Sequence, residues 1–281
     1  MTRRTWLLSI VALSLAAIPA LAASQTTANG TLIVVGGGPI PPEITARAVA
    51  LAGGPSAVVA VLPQASELAD TGKEAAAMWK RAGAGRTVVV NLRSRKVAER
   101  ALLEATLIWF PGGDQNRLMA ALHGTGFPEL IRRRYAEGTV VGGTSAGAAV
   151  MSAIMITGDA DLQSITAGKT KTDQGLGLWP EVIVDQHFLK RQRAARLISL
   201  VLDRPELVGV GIDESTAVIL SGPRFEVIGR SSVLVVDARR ARLERAAPGS
   251  LSAANEVALH VLRPGMSFTL ASLPPAPAAA R

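Results

Sequence analysis

The sequence contains no cysteine. This absence excludes a thiol nucleophile, thiolate metal ligands and CxxC redox chemistry, so covalent catalysis must use another type of side chain. It does not indicate a compartment, because a chain of 281 residues is long enough to be stable after export without disulfides.

Aromatic residues and histidines are also scarce. Aromatic residues are 4% of the chain and apolar residues 48%, so the core must consist mostly of Val, Leu, Ile and Ala. Only three histidines, His123, His187 and His260, are available as a general base. No cluster of His, Asp and Glu has metal-ligand spacing, and the glycines at 36–38 do not complete a GxGxxG motif. We therefore expect neither a metal nor another cofactor.

A long hydrophobic run occurs only near the N-terminus. Arg3 and Arg4 precede an apolar run at 6–17, and Ala20-Leu21-Ala22 supplies an A-x-A cleavage site. This pattern predicts an export signal peptide at residues 1–22 and a periplasmic or extracellular protein. The run is shorter than the roughly 20 residues that span a bilayer, so no membrane association is expected after cleavage. The paired arginines leave Sec and twin-arginine export both open.

The formal net charge of +8 is carried by Lys and Arg residues scattered along the chain. A nucleic-acid-binding protein would show a basic run with interleaved aromatic residues, and this sequence has none. We therefore expect no nucleic-acid partner. The one local cluster of positive charge consists of Arg191, Arg193 and Arg196.

Short apolar runs alternate with segments of helical length in the first half of the chain. The runs are 31–35, 57–62, 87–91, 105–110 and 139–141. They predict an α/β fold with a mainly parallel sheet and helices on both faces. Ligands of such sheets bind beyond the carboxyl ends of the strands, and glycine-rich turns follow three of these runs.

The pattern changes after about residue 215. Closely spaced strands are predicted at 216–220, 224–228, 232–236, 257–262 and 267–270. They indicate an antiparallel extension of the same domain, so we expect a single catalytic domain at 30–270. The Pro/Ala-rich tail at 271–281 is predicted to be disordered.

The strongest local motif is the pentapeptide 143–147, Gly-Thr-Ser-Ala-Gly. A serine between a strand and a helix-forming stretch, flanked by small residues, is typical of a nucleophile elbow. The turn holds the serine in a strained conformation and projects its hydroxyl above the sheet. Ser145 is therefore the predicted nucleophile. Backbone N–H groups of Ala146 and Gly113 are the predicted oxyanion donors.

A serine nucleophile needs a base and an acid. His187 ends the predicted strand at 182–186, on the sheet edge where Ser145 should lie. The acid is Asp213 or Glu214, which follow a further strand, and their spacing alone does not choose between them.

Four short motifs and one arginine pattern occur in a fixed order along the chain. They are Gly112-Gly113-Asp114-Gln115, Gly143-Thr144-Ser145-Ala146-Gly147-Ala148, Asp185-Gln186-His187-Phe188 and Gly211-Ile212-Asp213-Glu214, with R-x-R-x-x-R-L at 191–197. This series resembles the cyanophycinase family of serine exopeptidases, over roughly residues 30–245. The resemblance implies a fold like that of class I glutamine amidotransferases, with serine in place of cysteine. It also implies the triad Ser145, His187 and Glu214, and a possible homodimer.

The resemblance further implies a substrate and a pocket. Cyanophycin is a polyaspartate with arginine attached to each side-chain carboxylate, and the family releases β-Asp-Arg dipeptides from it. The implied pocket residues are Gln115, Asp185, Gln186, Arg191, Arg193 and Arg196. The arginines could bind the carboxylates, and Asp185 with Gln186 could bind the guanidinium. All three arginines can face one pocket only if the helix begins late. The prolines at 39, 41 and 42 depart from many relatives, which carry acidic residues there.

Two alternatives to a cyanophycinase-like peptidase stay open. An α/β-hydrolase esterase would use Ser145, Asp213 and His260, in the chain order of that class. A non-catalytic exported binding protein on the same fold would leave Ser145 unreactive toward a serine-directed probe.

Overall fold

The structure is a computed structural model that describes residues 30–158, 161–244 and 246–270. The predicted signal peptide at 1–22 and the predicted tail at 271–281 lie outside these ranges. Among the described residues, no helix has both the length and the hydropathy needed to cross a membrane.

The first half of the chain alternates strands and helices, as its periodicity predicts. The elements are Thr31–Val35 (β1), Pro42–Leu51 (α1), Val58–Val61 (β2), Thr71–Arg81 (α2), Arg86–Val89 (β3), Arg95–Glu104 (α3), Leu107–Phe110 (β4), Gln115–Leu122 (α4), Phe127–Ala136 (α5), Val140–Thr144 (β5) and Ala146–Ala149 (α6). A short 3-10 turn, Gly54–Ser56, precedes β2.

The second half contains mostly strands. They are Ile154–Ile156 (β6), Thr172–Gln174 (β7), Val182–Gln186 (β8), Val208–Ile212 (β9), Thr216–Ser221 (β10), Arg224–Gly229 (β11), Val233–Asp237 (β12), Arg242–Glu244 (β13), Ala253–Asn255 (β14), Ala258–Leu262 (β15) and Ser267–Thr269 (β16). A helix, Ala194–Asp203 (α7), lies between β8 and β9.

The main sheet has eight strands in the order β16-β11-β10-β1-β5-β4-β2-β3. The five strands from β1 to β3 in this order are parallel, and β10, β11 and β16 continue the sheet antiparallel to one another. Helices cover both faces, because alternate side chains of β1 enter two separate apolar clusters. One cluster includes residues of α1 and α2, and the other includes residues of α3, α4 and α5. The predicted α/β fold class is confirmed.

A second sheet of four strands has the order β15-β12-β9-β8. The antiparallel strands after residue 215 are divided between the sheets: β10, β11 and β16 extend the main sheet, whereas β12 and β15 belong to the second. Strand β12 instead pairs along its full length with β9, from Val233 opposite Ile212 to Asp237 opposite Val208. The chain passes from the second sheet to the first at residues 213–215, between β9 and β10. The carboxyl ends of β1, β5, β8 and β9 meet at this crossing.

Candidate active site

Ser145 lies in the tight turn between β5 and α6. Its backbone has φ 54° and ψ −113°, a conformation that a residue with a side chain adopts only under strain. The flanking glycines permit the turn by close backbone approach. A Cβ on Gly143 would lie 2.4 Å from the carbonyl oxygen of Gly147, and one on Gly147 would lie 2.1 Å from that of Phe110. The geometry is that of a nucleophile elbow.

His187 follows β8 and faces Ser145. Its Nε2 lies 2.9 Å from Ser145 Oγ, and its Nδ1 lies 2.6 Å from Glu214 Oε1. A carboxylate can only accept a hydrogen bond, so Nδ1 carries the proton and Nε2 is free to accept the serine proton. The ring is almost fully buried, with 8% of the side chain exposed. The three side chains therefore form the hydrogen-bond series that acyl transfer requires.

The two adjacent carboxylates at 213 and 214 make different contacts. Glu214 accepts from the imidazole, whereas Asp213 Oδ1 accepts from the backbone N–H groups of Leu189 and Lys190 at 3.1 and 2.9 Å. Asp213 Oδ2 accepts from the hydroxyl of Ser231 at 2.8 Å. The geometry thus distinguishes the two candidates that sequence spacing left open.

The glycine turn at 36–38 holds both the histidine and the acid segments. The N–H of His187 donates to the carbonyl of Gly36 at 2.6 Å, and the N–H of Ser215 donates to that of Gly37 at 2.9 Å. A Cβ on Gly37 would lie 2.3 Å from Cε1 of the His187 ring. Sequence reasoning placed a tight turn near the active face here but assigned these glycines no contact with the catalytic residues.

The two predicted oxyanion donors, Ala146 and Gly113, have different surroundings. Ala146 is the first residue of α6, which has only four residues, so a helix dipole adds little and the individual N–H groups matter more. Gly112 is close to the nucleophile, since a Cβ there would lie 3.3 Å from the Ser145 Cβ. Gly113 follows it and packs against the carbonyl of Ala65.

Four of the predicted pocket residues form two pairs with one another. Asp185 is buried, and its carboxylate accepts from two guanidinium nitrogens of Arg196, with Nε at 2.8 Å from Oδ2. Arg193 donates to both the carbonyl and the side-chain oxygen of Gln186, at 2.6 and 2.9 Å. Asp185 and Gln186, which were expected to bind a guanidinium of the substrate, each bind one of the protein's own.

Gln115 and Arg191 differ in their surroundings. Gln115 is buried at the start of α4, and its amide nitrogen donates to the carbonyl of Ile156 at 2.8 Å. Arg191 is exposed and precedes α7, which begins only at Ala194. The helix thus begins late, as the sequence analysis required. Arg191 and Arg193 lie before the helix, so helical spacing does not force their side chains apart.

Burial and charge set the protonation of the base. Burial lowers the pKa of His187 below its ordinary value of 6.5, the Glu214 hydrogen bond opposes this, and the charge of Arg191 lowers the pKa further. Burial also lowers the pKa of Arg193 to about 10, with a further contribution from Arg196. The imidazole is therefore neutral, and able to accept a proton, at neutral pH.

The other two histidines lie elsewhere. His260 is in β15, where its ring packs against Phe268 with centroids 4.9 Å apart. His123 is the exposed residue directly after α4. Among the described residues, neither the Ser145–His260 nor the Asp213–His260 hydrogen bond of the esterase alternative is present.

A strained serine bonded in series to a histidine and a glutamate, at the strand ends of an α/β fold, defines a hydrolase of the serine type. Residues 32–228 match Peptidase family S51, and the chain belongs to that family. It is a serine-type peptidase, and the predicted resemblance is confirmed.

Named relatives extend over most of the chain. The cyanophycinase of Geminocystis herdmanii (strain PCC 6308) is 39% identical over 229 residues, which cover 79% of this chain and 84% of that protein. The cyanophycinase of Nostoc sp. (strain PCC 7120 / SAG 25.82 / UTEX 2576) is 38% identical over 194 residues, which cover 66% of this chain and 65% of that protein.

A solved structure supports the fold. The crystal structure of a peptidase from an acI-B1 Actinobacterium superposes with a TM-score of 0.63 and 22% sequence identity. The superposition covers 86% of this chain and 97% of that one. At this identity the likeness concerns the architecture alone.

Proposed function

We propose that this protein is an exported exopeptidase that hydrolyses cyanophycin, or a related β-linked aspartyl polymer, to β-Asp-Arg dipeptides. The observation that carries the proposal is the hydrogen-bond series from Ser145 through His187 to Glu214. The names of the relatives at 38–39% identity support the choice of substrate.

The reaction follows from the positions of the three side chains. His187 Nε2 takes the proton of Ser145 as Oγ attacks the carbonyl carbon, and Glu214 stabilises the imidazolium that forms. The tetrahedral oxyanion is expected to bind the backbone N–H groups of Ala146 and Gly113. The imidazolium then protonates the leaving amine, and water releases the acyl group through the reverse proton transfers.

The charges near the histidine favour an acidic substrate. Arg191 and Arg193 both lie near enough to His187 to lower the pKa of the ring, and Arg191 is exposed. Each arginyl residue of cyanophycin carries a free carboxylate that such cations would attract. Asp185, the carboxylate expected to bind the substrate guanidinium, is bonded to Arg196 instead.

Dipeptide release tests the proposed function directly. Purified wild-type protein and Ser145→Ala are incubated with cyanophycin, and β-Asp-Arg is measured by mass spectrometry. Release by the wild type alone supports both substrate and nucleophile. If no dipeptide is released but Ser145 is still labelled by a fluorophosphonate, the protein is still a serine hydrolase, and its substrate is a different aspartyl peptide.

Export rests on the N-terminal sequence alone and has its own test. We expect the full chain, expressed in a Gram-negative host, to be recovered outside the cytoplasm with a new N-terminus after Ala22. Retention in the cytoplasm with residues 1–22 intact would refute the signal peptide. Replacing Arg3 and Arg4 with lysine separates twin-arginine export from Sec export.

A further inference from the structure

The turn that carries His187 is held by a second carboxylate, in addition to Glu214, which bonds the imidazole ring. Residues 187–193 form irregular turns between β8 and α7, and His187 itself has φ 48°. A left-handed residue in an irregular segment is costly, so the surrounding contacts must fix it. The position of Nε2 relative to Ser145 Oγ depends on these contacts.

Asp213 supplies such contacts from the crossing that follows β9. Its Oδ1 accepts two consecutive N–H groups, those of Leu189 and Lys190, two and three residues after the histidine. Its Oδ2 accepts from Ser231, just before β12, which ties the same carboxylate to the second sheet. Asp213 is 9% exposed, so these bonds are largely protected from water.

The two neighbouring carboxylates act on different parts of one segment. Glu214 bonds the ring of His187, and Asp213 bonds the backbone that follows it. Both side chains come from the same short crossing between β9 and β10. The ring of His187 and the backbone after it are therefore both bonded to adjacent residues of one segment.

We propose that Asp213 is a positioning residue that keeps His187 Nε2 in line with Ser145 Oγ through its bonds to the 189–190 backbone. This inference rests on the proposed function only in taking His187 as the general base. A misplacement of about 1 Å at a reacting group can cost on the order of 100-fold in rate, so the effect is measurable.

Three substitutions separate hydrogen bonding from charge. Asp213→Asn keeps an acceptor oxygen at the same place and removes the charge. Asp213→Glu keeps the charge and moves the acceptor by one methylene, and Asp213→Ala removes both. A positioning role predicts that Asn performs better than Glu, and a purely electrostatic role predicts the reverse.

Two readouts need no knowledge of the natural substrate. The first is the second-order rate of Ser145 labelling by a fluorophosphonate in the purified protein. The second is the proton NMR signal of the His187 Nδ1–H, which is assigned by its absence in His187→Ala. Thermal unfolding of each variant shows whether the fold is retained.

We expect roughly 10- to 100-fold slower labelling in Asp213→Ala, about 10-fold slower in Asp213→Glu, and less than about 3-fold in Asp213→Asn. The Nδ1–H signal should broaden in the Ala variant and persist in the Asn variant. If Asp213→Ala does not fold, the order of the Asn and Glu variants decides.

Labelling of Asp213→Glu at least as fast as that of Asp213→Asn would overturn the proposal, as would an unchanged signal and rate in Asp213→Ala. Failure of the proposed function is distinguishable, because it would appear as no dipeptide release by the wild type. Even a wild-type Ser145 that does not react leaves the NMR comparison to test whether Asp213 fixes the histidine.

Discussion

The backbone of Gly37 lies directly against the imidazole of His187. A Cβ on Gly37 would lie 2.3 Å from ring Cε1 and 2.4 Å from Nε2, the atom that faces Ser145. No side chain can occupy this position without moving the ring, because its nearest neighbours are atoms of the catalytic base. The first glycine turn of the chain is therefore part of the wall of the active site.

Gly37→Ala should abolish most of the activity. The methyl group must displace the ring, which separates Nε2 from Ser145 Oγ, so fluorophosphonate labelling should slow by about 100-fold or more. The positive φ of 107° adds a cost of about 1–3 kcal/mol to stability. The measurements are labelling rate and thermal unfolding on the same samples.

Gly138→Ala is the matched control. Gly138 has φ 108°, and a Cβ there would meet no atom within 4 Å. The control should show only the stability cost of the positive φ and keep its labelling rate. Equal losses of labelling in both variants would show that backbone strain, rather than contact with His187, causes the effect.

The identity of the base can be tested by comparing two histidines. His187→Ala should slow Ser145 labelling by at least about 1,000-fold, since removal of the base from a serine triad has effects of this size. His260→Ala removes a ring that packs on Phe268 in β15 and should leave the labelling rate of folded protein within about 3-fold. The opposite result would restore the esterase alternative.

The acid limb of the pH–rate profile reports the histidine. Activity requires the neutral ring, so it rises with pH through the lowered pKa of His187 and is level above it. Because the charge of Arg191 lowers that pKa, Arg191→Gln should raise it and move the acid limb to higher pH. The measurement is the labelling rate against pH with an uncharged probe, which does not need Arg191 for binding.

Arg191→Lys is the control for charge. It should leave the acid limb where it is in the wild type, and added salt should reduce the difference between Arg191→Gln and the wild type, because Arg191 is exposed. An acid limb that does not move in Arg191→Gln, or moves equally in both variants, would show that this charge has no part in the pKa of His187.

The motifs, and most strands of the main sheet, could be predicted from local sequence. Thr31–Val35 is a run of four β-branched residues and one leucine that is closed by glycines, so its bounds follow directly. The elbow at 143–147 is equally local. The pairing of β12 with β9 could not be predicted from local sequence. Which strand β12 pairs with depends on which sheet edge is free in the folded chain.

The contacts that organise the site could not be predicted from local sequence either, because they join residues that are far apart along the chain. Nothing in the residues 36–38 indicates that their backbone touches a ring 150 positions later. Asp213 and Glu214 have the same charge and are adjacent, so only the direction of the turn between two sheets gives each its partner. The late start of α7 depended on the turn at 187–193, which has no strong sequence signal.

The buried pair of Asp185 and Arg196 provides a test of what Asp185 does. Their side chains are 0% and 3% exposed, so removal of Arg196 leaves a buried carboxylate with only the more distant cation of Arg193, at 3.7 Å. Arg196→Met should lower the free energy of unfolding by about 3–5 kcal/mol, measured by urea denaturation. Arg117→Met breaks an exposed pair with Glu67 and should cost less than about 1 kcal/mol.

The double variant Asp185→Leu with Arg196→Met removes the buried carboxylate together with Arg196 and should recover part of that loss, because Arg193 keeps its two hydrogen bonds to Gln186. If Asp185 instead binds the guanidinium of the substrate, Asp185→Asn should raise KM for cyanophycin and change stability little. The structure favours a structural role for Asp185, since both of its carboxylate oxygens accept from Arg196 and its side chain is closed to solvent. A large rise in KM without loss of stability would mean that Arg196 releases the carboxylate when substrate binds.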